Sequence, residues 1–216
     1  MLSYIDAYST QMWFLLKPDA SKIKVNIRDY DNSKLLEYDF EVKNKHKIDD
    51  YIPFTVLLEK LRPNIEYVAS VFVDGIFVKE VDIFTKRPHL DDVQFLLGYG
   101  LNKSSSKKMF SHMRRTNSDF MVWLGGHVSF TSPITFDSMV DDYINVRKDP
   151  GLNDFMSSLP QISTWGDLDY GERGGGYSWA LKGDSYLAFS LFWPNSLHKT
   201  YNYTFFDYGT YQRYAY

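Results

Sequence analysis

The chain has no cysteine in its 216 residues. Disulfides, thiolate metal sites and a cysteine nucleophile are therefore excluded, while the redox compartment stays open. It has no apolar run near the ~18 residues of a membrane span. The first residues, MLSYIDAYSTQMWFLLKPD, have no basic leader ahead of an apolar core, so no signal peptide is readable. Charge of one sign is also lacking. The formal net charge is -3 and the pI about 5.9, which gives no electrostatic case for nucleic acid as a partner. What is present in quantity is aromatic: 17 Tyr, 16 Phe and 5 Trp, 18% of the chain. So many amphipathic rings need a large core, an adhesive surface, or both. With 44% hydrophobic and 24% charged residues, the rest of the composition is that of a folded globular chain. The length suits one large domain or two modest ones.

Residues 1–88 carry strand signals and almost no helix signal. Ile23, Val25 and Ile27 alternate with Lys22, Lys24, Asn26 and Arg28, a period of two with one buried and one wet face. Leu35 to Val42 is a weaker strand of the same kind. Tyr67 to Val73 and Ile76 to Val78 flank Asp74-Gly75, a hairpin signal because a type I′ turn needs positive φ at both central residues. Val81 and Ile83 continue the alternation. Leu61-Arg62-Pro63-Asn64-Ile65-Glu66-Tyr67 resembles the LxPxTxY run of fibronectin type III and related immunoglobulin-like domains, with Ile65 in place of the Thr. The resemblance implies a β-sandwich in which Tyr67 hydrogen-bonds back to upstream backbone. Such modules more often bind or space than catalyse. Lys86-Arg87-Pro88 closes this module as a linker.

From residue 89 the pattern becomes α/β. Val93 to Leu97 reads as a short apolar strand ending in Gly98-Tyr99-Gly100. A serine-rich loop leads into a helix through Arg115. Phe120 to Leu124 is a continuous apolar run, the mark of a strand buried on both faces. Phe136, Met139, Val140 and Tyr143 stand at helical spacing within 136–147. Asp149-Pro150 reads as a cap with proline at the first helical position, opening a helix to Leu159. Gln161 to Trp165 reads as a strand, 166–176 as a glycine-rich loop, Asp184 to Trp193 as a helix, and 201–216 as one or two aromatic strands. In such folds sites lie at the carboxyl ends of strands, here the loops 125–131 and 166–176.

Those loops carry a second resemblance. DFMVWLGGHVSF at 119–130 is similar to the "pDFmlWLGDniY" segment of alkaline phosphatase D-like metallophosphoesterases. YINVRKDPGLNDFMSSLPQISTWGDLDYG at 143–171 is similar to their "RY...R..P.Lq.l....P...iWDDHDYG" segment, and FLLGYG at 95–100 stands where the family has a strand ending in GSC. The resemblance spans the whole chain and is specific in 119–171. It implies an N-terminal immunoglobulin/fibronectin III-like sandwich (1–88) followed by the N-terminal part of a metallophosphoesterase-like α/β domain (89–216). It also implies a hydrolase with two metal ions, which clamp a phosphate ester and activate a water.

The chain departs from the family at the decisive positions. The Asp of LGD is Gly126, the His of WDDHD is Leu168, the first Asp of that run is Gly166, and the Cys of GSC is Gly100. Asp167 and Asp169 survive, and His127 follows the missing aspartate. The remaining histidine ligands of the family have no counterpart, so the chain reads as truncated as well as degenerate. Two function classes follow. One is a catalytically degenerate relative acting in protein binding or assembly, with no cofactor. The other is a metal-dependent phosphomonoesterase or phosphodiesterase holding divalent or trivalent ions (Ca, Fe, Zn) through His127, Asp167 and Asp169.

Each residue also has a plainer reading. Asp167 and Asp169 suit turn formation and solvated charge, and His127 a hydrogen-bonded loop position. Arg147 suits surface or packing duty on its helix. Gly174-Gly175-Gly176 lacks the Lys-Ser or Lys-Thr of a P-loop. Lys107, Lys108, Arg114 and Arg115 suit a solvated helix face. Spacing alone supports no Ser-His-Asp arrangement. The tail, with Tyr203, Tyr208, Tyr211 and Tyr214 as interface candidates, is expected to form a strand whose edge a protein partner or another copy of the chain covers. The family resemblance implies an exported or periplasmic protein. N-x-S/T sites at Asn102 and Asn202 are without weight unless the host is known.

Overall fold

The computed structural model describes residues 1–30, 35–43, 48, 50–89, 92–101 and 106–194. It separates a unit spanning Met1–Asp92 from a second that begins at Val93.

In the first unit the alternation of Ile23, Val25 and Ile27 organises the whole core. All three are fully buried on β3 (Lys22–Asp29), which pairs antiparallel with β4 (Leu35–Glu41) on one side and β6 (Glu66–Val73) on the other. β7 (Ile76–Phe84) completes a four-stranded sheet of order β4-β3-β6-β7. Strands β1 (Leu2–Ile5), β2 (Thr10–Leu16) and β5 (Ile52–Leu58) form a second, three-stranded antiparallel sheet. The inner faces of the two sheets share one core, with Leu2, Met12, Ile52 and Leu58 meeting Ile23, Val25, Tyr67 and Ile83. This is a β-sandwich built from period-two burial. Period two identifies β3, β6 and β7 in advance. It does not isolate β1, β2 and β5, because β2 is buried at Thr10, Gln11, Met12 and Trp13 in succession and shows no clean alternation.

Two local devices are where the residues predict them. Asp74 and Gly75 have φ of 49° and 81°, the left-handed pair that a tight hairpin between β6 and β7 requires. Tyr67, buried, accepts the Arg62 backbone N–H on its phenol oxygen at 2.8 Å, closing the tyrosine corner. With Ile65 unable to hydrogen-bond through its side chain, Thr85 ties the segment instead. Its hydroxyl donates to the Arg62 carbonyl at 2.7 Å and accepts from the Ile65 N–H at 3.0 Å.

The second unit is built on a parallel sheet of order β10-β9-β8, comprising β8 (Phe95–Gly98), β9 (Phe120–Trp123) and β10 (Gln161–Ser163). Its helices are α1 (Ser106–Met113), α2 (Phe136–Arg147), α3 (Pro150–Ser158), α4 (Asp167–Tyr170) and α5 (Lys182–Phe192). The caps explain the helix starts. Thr135 and Ser138 form a reciprocal capping box at α2, and the Asp149 carboxylate accepts the Leu152 N–H at 2.8 Å ahead of Pro150. Trp123 packs against Phe155, which stacks on Phe110, while Tyr143 stacks on Phe192.

The structure differs from expectation in three places. The strand expected from Val93 to Leu97 runs from Phe95 to Gly98, at the sheet edge among the described residues, with Phe95 53% and Leu97 59% exposed. The expected loop 166–176 contains α4, a single turn too short to leave a periodic signal. The helix expected from Asp184 begins at Lys182. The expected strands in 201–216, with Tyr203, Tyr208, Tyr211 and Tyr214, lie outside the described residues, as do Asn102 and Asn202. No helix among the described residues is long and apolar enough to cross a membrane.

Candidate functional site

The carboxyl ends of β8, β9 and β10 meet at a junction of glycines. Beyond β9 the chain turns through Gly125 and Gly126, with φ of 102° and 73°, values that favour glycine. A Cβ on Gly125 would lie 2.1 Å from the Gly166 nitrogen. A Cβ on Gly126 would lie 2.9 Å from the Gly100 Cα and 3.2 Å from the Tyr99 ring, and one on Gly166 would also come within 3.2 Å of that ring. Two backbone bonds seal the contact: Gly100 N–H to Gly125 O at 2.9 Å and Leu101 N–H to Gly126 O at 3.0 Å. Gly100, Gly126 and Gly166, three positions singled out in the sequence, therefore converge as bare backbone. Tyr99 lies across two of them and remains 57% exposed.

Immediately beneath is a buried polar chain. His127 is 2%, Asp169 0% and Ser163 3% exposed. Asp169, on α4, accepts through Oδ1 from Gly126 N–H at 2.8 Å and Gly166 N–H at 2.7 Å, and through Oδ2 from His127 Nδ1. An ionised carboxylate can only accept, so the ring proton belongs on Nδ1. Nε2 is then free to accept from the Ser163 hydroxyl at 2.8 Å. Burial pushes the His127 pKa below its ordinary value. The Asp169 hydrogen bond and charge oppose that shift, and the Arg147 charge adds to it. The Trp193 ring lies 4.4 Å from the imidazole, with Trp123 and Phe189 about it.

This order of Ser, His and Asp has the polarity of a nucleophile–base–acid chain. All three members are buried, and together they tie the β9 loop, the end of β10 and α4 to one another. Spacing along the sequence could not reveal it. Ser163 is 36 residues from His127, and Asp169 is 42; only the parallel pairing of β9 with β10 brings them together.

The other candidates disperse. Asp167 is exposed and accepts the Gly174 N–H at 2.8 Å, as a turn former does. Two residues apart on one helical turn, Asp167 and Asp169 face different ways. Leu168 is partly buried between them. In the glycine run, the Gly175 N–H is taken by Glu172 O at 2.8 Å and the Gly176 carbonyl by the Tyr170 hydroxyl at 2.8 Å. Lys108, Arg114 and Arg115 are exposed on and just after α1; the Lys107 side chain lies outside the described residues. Arg147 is a buried packing residue. Its guanidinium lies 4.2 Å over Trp193, Nη2 donates to Phe192 O at 2.8 Å, and Nη1 meets the Met156 sulfur. Burial pulls its pKa down to about 9, with Tyr143 opposing.

Among the described residues, no group of three or more His, Asp or Glu side chains could hold a metal ion. The residues at the junction do not fit a two-metal centre. Gly100, Gly126, Gly166 and Leu168 offer no side-chain ligand atom, and Asp169 and His127 spend their polar atoms on each other, on backbone and on Ser163.

No family model matches the chain, and no curated protein does. Among solved structures, PhoD superposes with a TM-score of 0.73 over 91% of this chain, at 16% identity. The fold is PhoD-like. The chain spans 45% of the length of the PhoD chain that it matches. A fibronectin III domain of human collagen XX matches 39% of this chain at 19% identity and a TM-score of 0.31. The sensor domain of the anti-sigma factor RsgI4 of Pseudobacteroides cellulosolvens matches 43% at 15% identity and 0.32. The sandwich assignment rests on strand order and the shared core rather than on these two matches.

Proposed function

We propose that this chain is a catalytically degenerate PhoD-like protein that works in protein binding or assembly. In this reading residues 1–88 are an immunoglobulin/fibronectin III-like sandwich and 89–216 a partial metallophosphoesterase-like α/β domain. The observation that carries it is the convergence of Gly100, Gly126 and Gly166, where the resemblance implies a cysteine and two aspartates, with Tyr99 across the gap. A phosphoryl-transfer site needs oxygen and nitrogen ligands to hold its cations, and here the approach is backbone against backbone. Support for a binding role comes from exposed rings on the same unit, Phe95, Tyr99 and Tyr177, since aromatics of this kind are enriched at interfaces. The partner is a protein or another copy of the chain, met by Tyr203, Tyr208, Tyr211 and Tyr214.

A second reading keeps an enzyme. His127 and Asp169 are brought into contact at the strand ends, and with Asp167 they would ligate a metal after a local rearrangement. One experiment separates the two. The purified chain is assayed for bound Ca, Fe and Zn and for hydrolysis of p-nitrophenyl phosphate and bis(p-nitrophenyl) phosphate, with its native mass measured alongside. The binding reading expects no stoichiometric metal, no turnover above a buffer control, and a mass above that of one chain in the presence of its partner. Two metals per chain with turnover lost in Asp167→Asn would establish the enzyme.

A further inference from the structure

We infer that the strand-end junction is closed to metal by internal bonding, so that restoring the missing ligand side chains does not restore a cation site. This rests on the metal-free part of the reading above and not on any partner.

Two independent observations carry it. The first is space. A side chain at position 126 begins 2.9 Å from the Gly100 Cα and 3.0 Å from its nitrogen, and backbone cannot swing aside as a flexible side chain does. Position 126 also has φ of 73°, in the left-handed region where glycine is favoured and which an aspartate enters at a smaller cost than most residues. Position 166 is less tight, because its nearest side-chain neighbour is the ring edge of Tyr99, which can rotate away, but the Leu124 carbonyl is also 3.2 Å off. Gly100, though its own φ is 76°, has open space in front of a Cβ. The closure is therefore specific to the β9 and β10 ends.

The second observation is saturation. The Asp169 carboxylate accepts from three N–H groups, and both His127 nitrogens are engaged, one by Asp169 and one by Ser163. A cation recruiting His127 must displace the Ser163 hydroxyl, which can turn to the Thr164 carbonyl at 3.2 Å, and one recruiting Asp169 must compete with the N–H donors of Gly126, Gly166 and His127 for the same carboxylate. Two of the three candidate ligands, Asp169 and His127, thus serve each other. The work of tying the β9 loop to α4, which a bound ion could do in an open site, is done by the carboxylate alone.

The test uses metal uptake and thermal unfolding of the chain and four variants: Leu168→His, Gly126→Asp, Gly126→Asp/Leu168→His, and the last with Tyr99→Ala added. Zn2+, Ca2+ and Fe3+ are the probes, each titrated alone and followed by calorimetry and by the imidazole NMR signals of His127. Leu168→His adds a histidine at a partly exposed position and should fold as the parent does, binding no ion. Variants with Asp at 126 should unfold about 5–10 °C lower and gain no stoichiometric site. Removing Tyr99 should not rescue binding, since the Gly100 backbone remains. In the parent, Zn2+ should leave the His127 signals unmoved. Uptake of one or more ions by any variant with a level or raised Tm would overturn the inference while leaving the parent's metal-free reading standing. Shift or broadening of His127 signals by Zn2+ in the parent would overturn both.

Discussion

Replacing Asp169 is the sharpest perturbation of the second unit. Its carboxylate, fully buried, is the acceptor for Gly126 N–H at 2.8 Å, Gly166 N–H at 2.7 Å and His127 Nδ1. Asp169→Ala leaves three buried donors without an acceptor. Each such loss costs about 1–3 kcal/mol taken singly, but the losses are not additive when loops relax and water enters. A total near 3–5 kcal/mol, at the low end of the simple sum of three such losses, is the expectation. Asp169→Asn is a milder test of the same geometry. Its carbonyl still accepts from the two glycine amides, while its NH2 now confronts Nδ1–H. The clash is relieved if the imidazole moves its proton to Nε2 and donates to Ser163, whose hydroxyl turns to the Thr164 carbonyl at 3.2 Å. That escape holds the cost to about 1–2 kcal/mol. Guanidinium unfolding followed by tryptophan fluorescence reads the change, because Trp123 and Trp193 adjoin His127. If Asp169→Ala costs less than about 1 kcal/mol, or if the Asn variant is the worse of the two, the claim that this carboxylate ties the strand ends is refuted.

Other consequences follow from particular residues. His127 has a folded pKa below that of the unfolded chain, about 6.5, so the unfolded state binds the extra proton first. The stability contributed by neutral His127 is complete above that value and declines as pH falls below it, levelling off only beneath the depressed folded pKa; a Tm–pH series should show this slope in the parent and lose it in His127→Gln. Asp167→Ala should shift stability by no more than about 0.5 kcal/mol, as an exposed substitution does, and so contrast with Asp169→Ala in the same denaturation assay. Tyr67→Phe removes the acceptor of the Arg62 N–H and should cost about 1–3 kcal/mol in unfolding of the first unit. Ile27→Ala, at a fully buried site between the two sheets, should cost about 2–5 kcal/mol with the m-value unchanged.

Much of the architecture was legible wherever a residue pattern has a local cause. The alternation at Ile23, Val25 and Ile27 names its strand and its buried face at once. Asp74-Gly75 names its turn because few residues accept positive φ. Asp149-Pro150 names a helix start because one supplies an oxygen and the other lacks a donor. Legibility fails where the cause lies elsewhere in the chain. β1, β2 and β5 mix polar and apolar residues without clean alternation, so that their sheet is defined by pairing, and α4 is four residues long, below any period. The junction divides in the same manner. Gly100, Gly126 and Gly166 stand out by resemblance, but their contact depends on three parallel strands ending side by side. Ser163 gave no signal at all, since a serine at a strand end is ordinary until a histidine from the neighbouring strand is placed against it. Arg147 reads from its spacing as a surface or packing residue, and only the fold decides for packing: it is buried against Trp193, where the ring contact and the Phe192 carbonyl compensate part of its lost hydration.

The central claim is that the ends of β8, β9 and β10 form a self-satisfied junction and not a cation site. Thermal unfolding of the purified chain with and without a strong chelator, alongside elemental analysis of the same sample, tests it most directly. A self-satisfied junction gives less than about a tenth of a metal equivalent per chain, the level of adventitious ions, and superimposable melting curves. Two equivalents of metal together with a lower Tm in chelator would contradict it.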